Sequence, residues 1–185
     1  MKYLTLTLLL FFLNNVTYAT TIAGIEMPNK MEIRDHSLYL NGTGTRTKFF
    51  LDIYAAGLYL PQHTTDDAQL VKQDRPMALR LHILSSLLSS EKMEKATKEG
   101  FEIATGNNVA PISTEIDLLI NAFNEDIVKN DVFEFIYIPN EGMQVLKNGV
   151  VKVTLEGLTF KEAFFSIWLG KKPAQKSLKK ALLAK

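Results

Sequence analysis

The chain has no cysteine among its 185 residues. This absence excludes disulfide bonds, thiolate nucleophiles and cysteine-ligated metal sites. A chain without disulfides is held together by the packing of its core alone, which suits a domain of this size better than a miniature scaffold.

Histidine is scarce as well, and the three present, His36, His63 and His82, are scattered. None has a second histidine or a carboxylate at metal-ligand spacing on a shared helix face, so we expect no metal. The chain also lacks a phosphate-binding loop, a dinucleotide fingerprint and a Gly-x-Ser-x-Gly nucleophile elbow. We therefore expect no cofactor.

An excess of either charge is missing too. Without Lys2 the chain has equal numbers of basic and acidic residues. Such a balance gives no broad positive field to attract a polyanion, and we expect no nucleic-acid partner.

Long hydrophobic runs are confined to the N-terminus, where one lysine precedes an apolar run from Leu4 to Leu13 and the segment Thr-Tyr-Ala ends at Ala19. This order predicts a signal peptide over residues 1–19, with a retained anchor as the alternative. Its length and composition are typical of bacteria, and we expect secretion across the inner membrane into the periplasm. Residues 20–185 are then long enough for one domain.

Apolar periodicity and turn residues predict the remaining elements. The predicted strands are 31–34, 37–40, 47–60, 77–84, 132–138, 143–146 and 151–155. The predicted helices are 64–73, 91–105 with Ser90 as its N-cap and Gly106 as its C-terminal stop, about 112–125, 163–169 after a capping box at Thr159–Glu162, and 174–184. Asn148-Gly149 predicts a tight hairpin. Asn41-Gly-Thr43 formally fits a glycosylation acceptor, and we interpret it as a turn.

The order of these elements predicts the fold class. Strands cluster near both ends, with helices between and after them, which argues against alternating βαβ units. We predict an α+β fold, an open-faced antiparallel β-sheet covered by a layer of helices.

Arg46 is the most informative polar residue, because it lies at the start of the long strand 47–60. Alternation places it on the same face as Asp52, Tyr54 and Leu58 if no bulge intervenes. That face is polar near its start and apolar near its end, as in a cleft for an amphiphile with an anionic head. The alternative is that Arg46 pairs with Asp52 or extends into solvent.

Several stretches resemble the chalcone isomerase-like family, in particular its exported bacterial branch. They are Gly42-Thr-Gly44-Thr-Arg46 followed by KFF, AAGLYL at 55–60, LRLHIL with the helix after it, and FKEAFFSIWLGKKPAQKSLKKALL near the end. The resemblance implies an open-faced sheet with a helical layer and a ligand cleft between them. Family enzymes close a flavonoid ring, whereas fatty-acid-binding members use the arginine to hold a carboxylate.

The resemblance also assigns site residues. Arg46 matches the arginine that binds the ligand's oxygen. The enzymes have threonine at the position of Tyr54, tyrosine and asparagine at those of Lys92 and Glu99, and threonine at that of Ile167. Because only the arginine is retained, the resemblance implies loss of most catalytic donors, and we predict no catalytic residue.

We therefore expect a protein that binds a small amphiphilic ligand, a fatty acid or a flavonoid-like molecule, as a monomer. Arg46 is predicted to hold the anionic head beside Tyr54, and Leu58, Phe165 and Trp168 to enclose the tail, with Lys92, Glu99 and Ile167 completing the site. The alternatives are an isomerase acting on a chalcone-like enone phenol and an envelope interaction domain with a degenerate cleft. The lysine-rich C-terminal helix could also contact an anionic membrane surface.

Overall fold

The computed structural model describes residues 19–66 and 69–185. This part of the chain contains nine strands: β1 (Ala19–Ile22), β2 (Ile25–Pro28), β3 (Lys30–Ile33), β4 (His36–Lys48), β5 (Leu51–Leu60), β6 (Met77–Ile83), β7 (Val132–Ile138), β8 (Gly142–Lys147) and β9 (Val150–Leu155). Its helices are α1 (Ser90–Thr105), α2 (Ser113–Asn121), α3 (Leu158–Leu169) and α4 (Lys176–Leu182), with a short 3₁₀ helix at Ala110–Ile112. Of the predicted signal peptide, only Ala19 is among these residues.

Seven strands form one antiparallel meander in the order β3-β4-β5-β6-β7-β8-β9, and β1 and β2 form a separate hairpin. The main core lies between one sheet face and the helices, where Phe101, Phe135 and Phe164 are at most 1% exposed. Met27 and Tyr59 belong to a smaller cluster on the other face. The predicted α+β fold is confirmed. None of the helices in the described part is both long enough and apolar enough to span a membrane.

The predicted strand 47–60 is wrong at its start, because the chain reverses direction at Phe49 and Phe50. Both residues have positive φ, 49° and 64°, a conformation that phenylalanine rarely adopts, so no turn signal is visible in the sequence. Thr47 and Lys48 therefore belong to β4. In the remainder, Tyr54, Ala56 and Leu58 face the helices as predicted, but Ile53, which the alternation places on the opposite face, also packs against the core on this side.

Four other local predictions are wrong. The N-cap of α1 is Ser89, whose side chain accepts a hydrogen bond from the Lys92 amide, instead of Ser90. Residues 69–72 form a turn instead of part of a helix over 64–73, of which Asp67 and Ala68 lie outside the described residues. Helix α3 begins at Leu158, with Gly157 as its N-cap. Thr159 therefore lies within the helix, and the predicted capping box does not form. Asn41 lies within β4 instead of in a turn, and its side chain bonds Thr64 and the Leu182 carbonyl.

Two glycines of β4 allow helix α4 to pack directly on the strand. A Cβ at Gly44 would lie 2.7 Å from Ala181 Cβ, and a Cβ at Gly42 would overlap the carbonyl oxygens of Ala181 and Leu182. The apolar side of α4 is buried in this contact, with Leu178 and Leu182 at most 2% exposed. Membrane contact through α4 therefore stays a prediction that would depend on its lysines alone.

Lys161 of α3 is a fully buried cation. Its Nζ donates to the carbonyls of Val71 (2.9 Å) and Gln73 (2.6 Å), which holds the segment before β6 in a turn. Burial lowers the pKa of Lys161 to about 8, although Glu162 and Asp74 act in the opposite direction.

The substitution Gly44→Ala is expected to reduce the free energy of unfolding by about 1–3 kcal/mol, because α4 must move away from β4. Gly42→Ala is expected to cost more, since its Cβ meets backbone atoms. In a strand without such contacts the same change would stabilise by restricting the unfolded chain. Urea unfolding measures the effect, with Thr45→Ala as the control. Equal stabilities of the two glycine variants and the control would contradict the packing role.

Lys161 is expected to make stability depend on pH. Between about pH 8 and pH 10.5 the unfolded lysine still binds a proton that the folded one has lost. The free energy of unfolding should therefore rise with pH in this window, by at most about 1.4 kcal/mol per pH unit, and this rise should be absent in Lys161→Met. If the native protein and Lys161→Met had parallel pH profiles of stability in urea, the pKa of the Lys161 amine would not be lowered in the folded protein.

Candidate functional site

A cavity of about 630 Å³ opens between the sheet and the helices. Strands β4 to β7 form one wall, α1 and α3 form the other, and the segment between α3 and α4 closes one side. The residues that carry its shape and charge are Arg46, Lys48, Phe49, Leu51, Tyr54, Leu81, Leu87, Lys92, Lys95, Glu99, Ile103, Phe123, Phe135, Phe164, Ile167, Trp168 and Lys172. This is the predicted location of the cleft.

Arg46 lines this cavity and is half-buried. Its Nη1 donates to Gln175 Oε1 (3.0 Å) and, at the limit of hydrogen bonding, to the Thr47 carbonyl (3.4 Å). No carboxylate in the described part of the chain forms an ion pair with it. Asp52, the alternative partner, instead accepts from Thr47 Oγ1 (3.0 Å). The guanidinium therefore keeps donors for an anion in the cavity.

Gln175 holds the arginine in place, and the sequence analysis missed it. Besides Arg46, its Oε1 accepts a hydrogen bond from the Thr47 backbone (3.0 Å), and its Nε2 donates to Ser177 Oγ (2.8 Å). The residue lies just before α4, so the packing of α4 on Gly42 and Gly44 brings it to Arg46. No local pattern could have revealed a contact across 129 residues.

Tyr54 and Trp168 connect β5 to α3 within the cavity wall. Register places Tyr54 opposite Arg46, and its hydroxyl accepts a hydrogen bond from Trp168 Nε1 (2.9 Å). Burial raises the pKa of Tyr54, although the Trp168 bond and the charge of Arg46 act in the opposite direction. The phenol is therefore neutral at physiological pH, and no acceptor for its proton is found among the described residues. That proton remains available to a ligand.

The deep walls are apolar. Leu81, Phe123, Phe135 and Phe164 are each at most 2% exposed. The ring centroids of Phe164 and Phe135 lie 4.7 Å apart, and those of Phe164 and Trp168 lie 5.2 Å apart. Such a surface favours an alkyl chain or an aromatic ring over a polar group.

The mouth is positively charged. Of the described residues that line the cavity, five are basic and one, Glu99, is acidic. Lys92 and Glu99 lie on the face of α1 that borders the opening, and Lys92 Nζ donates to the Leu87 carbonyl (2.8 Å). A chain of almost zero net charge thus concentrates positive charge at this opening.

The structure brings together six of the eight predicted site residues. Arg46, Tyr54, Lys92, Glu99, Ile167 and Trp168 line the cavity. The other two do not, because Leu58 and Phe165 are packed inside the core at 0% and 1% exposure. Contact between these six residues and a ligand stays a prediction.

The remaining polar candidates lie elsewhere. Arg80 points to the opposite face of the sheet, where it pairs with Glu134 and is partly buried. Within residues 19–66 and 69–185, no cluster of histidines and carboxylates has the arrangement of a metal site.

Comparison with known proteins agrees with this architecture. The crystal structure of the Arabidopsis thaliana fatty-acid binding protein AtFAP1 superposes with a TM-score of 0.72 over 90% of this chain and 96% of that one, at 16% identity. At that identity the likeness shows the fold. No curated protein matches the sequence significantly. A family model described as chalcone isomerase-like matches residues 19–184. The chain therefore belongs to the chalcone isomerase-like family.

Proposed function

We propose that the protein binds a small amphiphilic anion, such as a fatty acid, in the cavity between sheet and helices and does not transform it. The observation that carries this proposal is Arg46, a cation without a carboxylate partner in the described part of the chain, on the wall of a largely apolar cavity. The Tyr54 hydroxyl beside it offers a second donor. A guanidinium and a hydroxyl together suit the two oxygens of a carboxylate.

The size and lining of the cavity support the same ligand class. Its volume of about 630 Å³ lies within the range of roughly 300–1,000 Å³ that is usual for small-molecule sites. The buried aromatic rings offer the tail a dry surface, and the lysines at the mouth attract an anion. The neighbour AtFAP1, a fatty-acid binding protein, has the same fold.

The hydrogen-bonding groups of the cavity wall support the proposed lack of catalysis. Closing a flavonoid ring requires donors that are already oriented toward the oxygen that gains negative charge. At the position where the family enzymes have a threonine, this chain has Ile167, which cannot donate a hydrogen bond. Glu99, the acidic residue of the lining, is exposed at the mouth.

We further propose that the protein acts after export into the periplasm of a bacterium, as its N-terminal sequence indicates. The intact mass of protein recovered from the cell envelope tests this. We expect a chain that begins at Thr20, whereas a full-length chain found in the cytoplasm would contradict export.

Arg46→Gln is expected to weaken the binding of dodecanoate by about 10- to 100-fold, because the lost hydrogen bonds to a charged group are worth about 1.5–3 kcal/mol. Binding of dodecanol, which has no charge, should change little. Isothermal titration calorimetry with both ligands measures this preference for the acid.

Arg34→Gln is the matched control, since Arg34 pairs with Glu141 outside the cavity. It should retain the affinity of the native protein. An equal loss of acid and alcohol binding in Arg46→Gln would mean that the arginine supports the fold instead of the carboxylate. Turnover of a chalcone by the native protein would contradict the non-catalytic part of the proposal.

A further inference from the structure

The β4–β5 hairpin has an unusual turn. Lys48 pairs with Leu51, so the loop consists of Phe49 and Phe50 alone, both with positive φ. Two-residue loops of this kind strongly favour Asn-Gly or Gly-Gly, as at Asn148-Gly149 between β8 and β9. A bulky residue in the left-handed region carries a conformational cost of about 1–2 kcal/mol.

Neither phenylalanine compensates for this cost by burial. Phe49 is 83% exposed, and Phe50 is completely exposed. The turn thus opposes stability in two ways, through its backbone and through the water around two aromatic rings. Strain that does not serve the fold points to a function.

Other exposed apolar side chains surround the same opening. Leu51, Leu87 and Ile103 are each at least 50% exposed, and together with Phe49 they line the cavity. Leu87 is held beside the hairpin because the backbone amides of Leu84 and Ser85 donate to the Ile53 carbonyl (2.9 and 3.3 Å). The apolar patch and the cavity mouth are therefore one surface.

Four lysines, Lys48, Lys92, Lys95 and Lys172, lie on the border of this surface. No ion pair joins any of them to a carboxylate within the described residues. Aromatic side chains among lysines that have no carboxylate partner are the composition of a surface that rests on anionic lipid, where apolar groups enter the headgroup region and cations remain at its level.

We propose that the cavity mouth docks on the anionic surface of a lipid bilayer, with the Phe49–Phe50 turn inserted among the lipid headgroups. This builds on the proposed function, since a docked mouth would let an amphiphile pass between bilayer and cavity without crossing water. The docking itself depends only on the turn and the lysines. It differs from contact through α4, whose apolar side is buried.

Phe50→Gly tests the proposal without loss of the fold, because glycine is favoured in this turn and Phe50 does not line the cavity. The probe is flotation with vesicles of phosphatidylglycerol and phosphatidylcholine in equal parts. We expect the variant to bind these vesicles about tenfold more weakly, as the loss of one buried phenylalanine implies. The native protein should also bind at least about tenfold more weakly to vesicles of phosphatidylcholine alone.

Val150→Ser is the matched control, because it removes an exposed apolar side chain next to the other two-residue turn. It should bind vesicles as the native protein does. Equal vesicle binding by Phe50→Gly and the native protein would overturn the proposal. So would dimerisation in analytical ultracentrifugation that Phe50→Gly abolishes, since the patch would then contact a second copy.

The two proposals can fail separately. Dodecanoate binding measured without vesicles should be unchanged in Phe50→Gly, which isolates docking from ligand binding. A native protein that floats with anionic vesicles but binds no dodecanoate would retain the docking surface and lose the proposed function.

Discussion

The site depends on the contact between helix α4 and strand β4. Gly42 and Gly44 have no side chains, so the helix lies directly on the strand. This contact brings Gln175 to Arg46 and to the Thr47 amide, and its amide oxygen accepts from both. A guanidinium on a strand near solvent would otherwise sample many rotamers. Here the helix restricts it toward the cavity, which would lower the entropy lost on binding of the proposed ligand.

Electrostatics then decides what the cavity can hold. The interior contains a neutral phenol, Tyr54, and apolar rings, whereas the charged residues of the lining are mostly basic and near the mouth. An isolated anion would lose its hydration in such a place, but an amphiphile can leave its head at Arg46 and bury its tail. The exposed turn at Phe49 and Phe50 continues the apolar surface outside the cavity. Only a lipid or another apolar partner would cover this surface.

Much of the fold was accessible from the sequence, because it is encoded by local periodicity. Alternation identified β6, Asn148-Gly149 identified the hairpin between β8 and β9, and Gly106 marked the end of α1. Two features have no local signal. The turn at Phe49 and Phe50 uses residues that avoid its conformation, and Gln175 acts through a contact that exists only after α4 has packed. Leu58 was assigned to the site from strand parity. Parity predicts which face of the sheet a side chain lies on, but not whether it lines the cavity or is packed inside the core.

A crystal structure of the protein with dodecanoate tests the central claim most directly. We predict that the carboxylate lies within hydrogen-bond distance of the Arg46 guanidinium and the Tyr54 hydroxyl, with the alkyl chain against Phe135, Phe164 and Trp168. A carboxylate among Lys92 and Lys95 at the mouth, with Arg46 still bonded only to Gln175 and Thr47, would contradict the account.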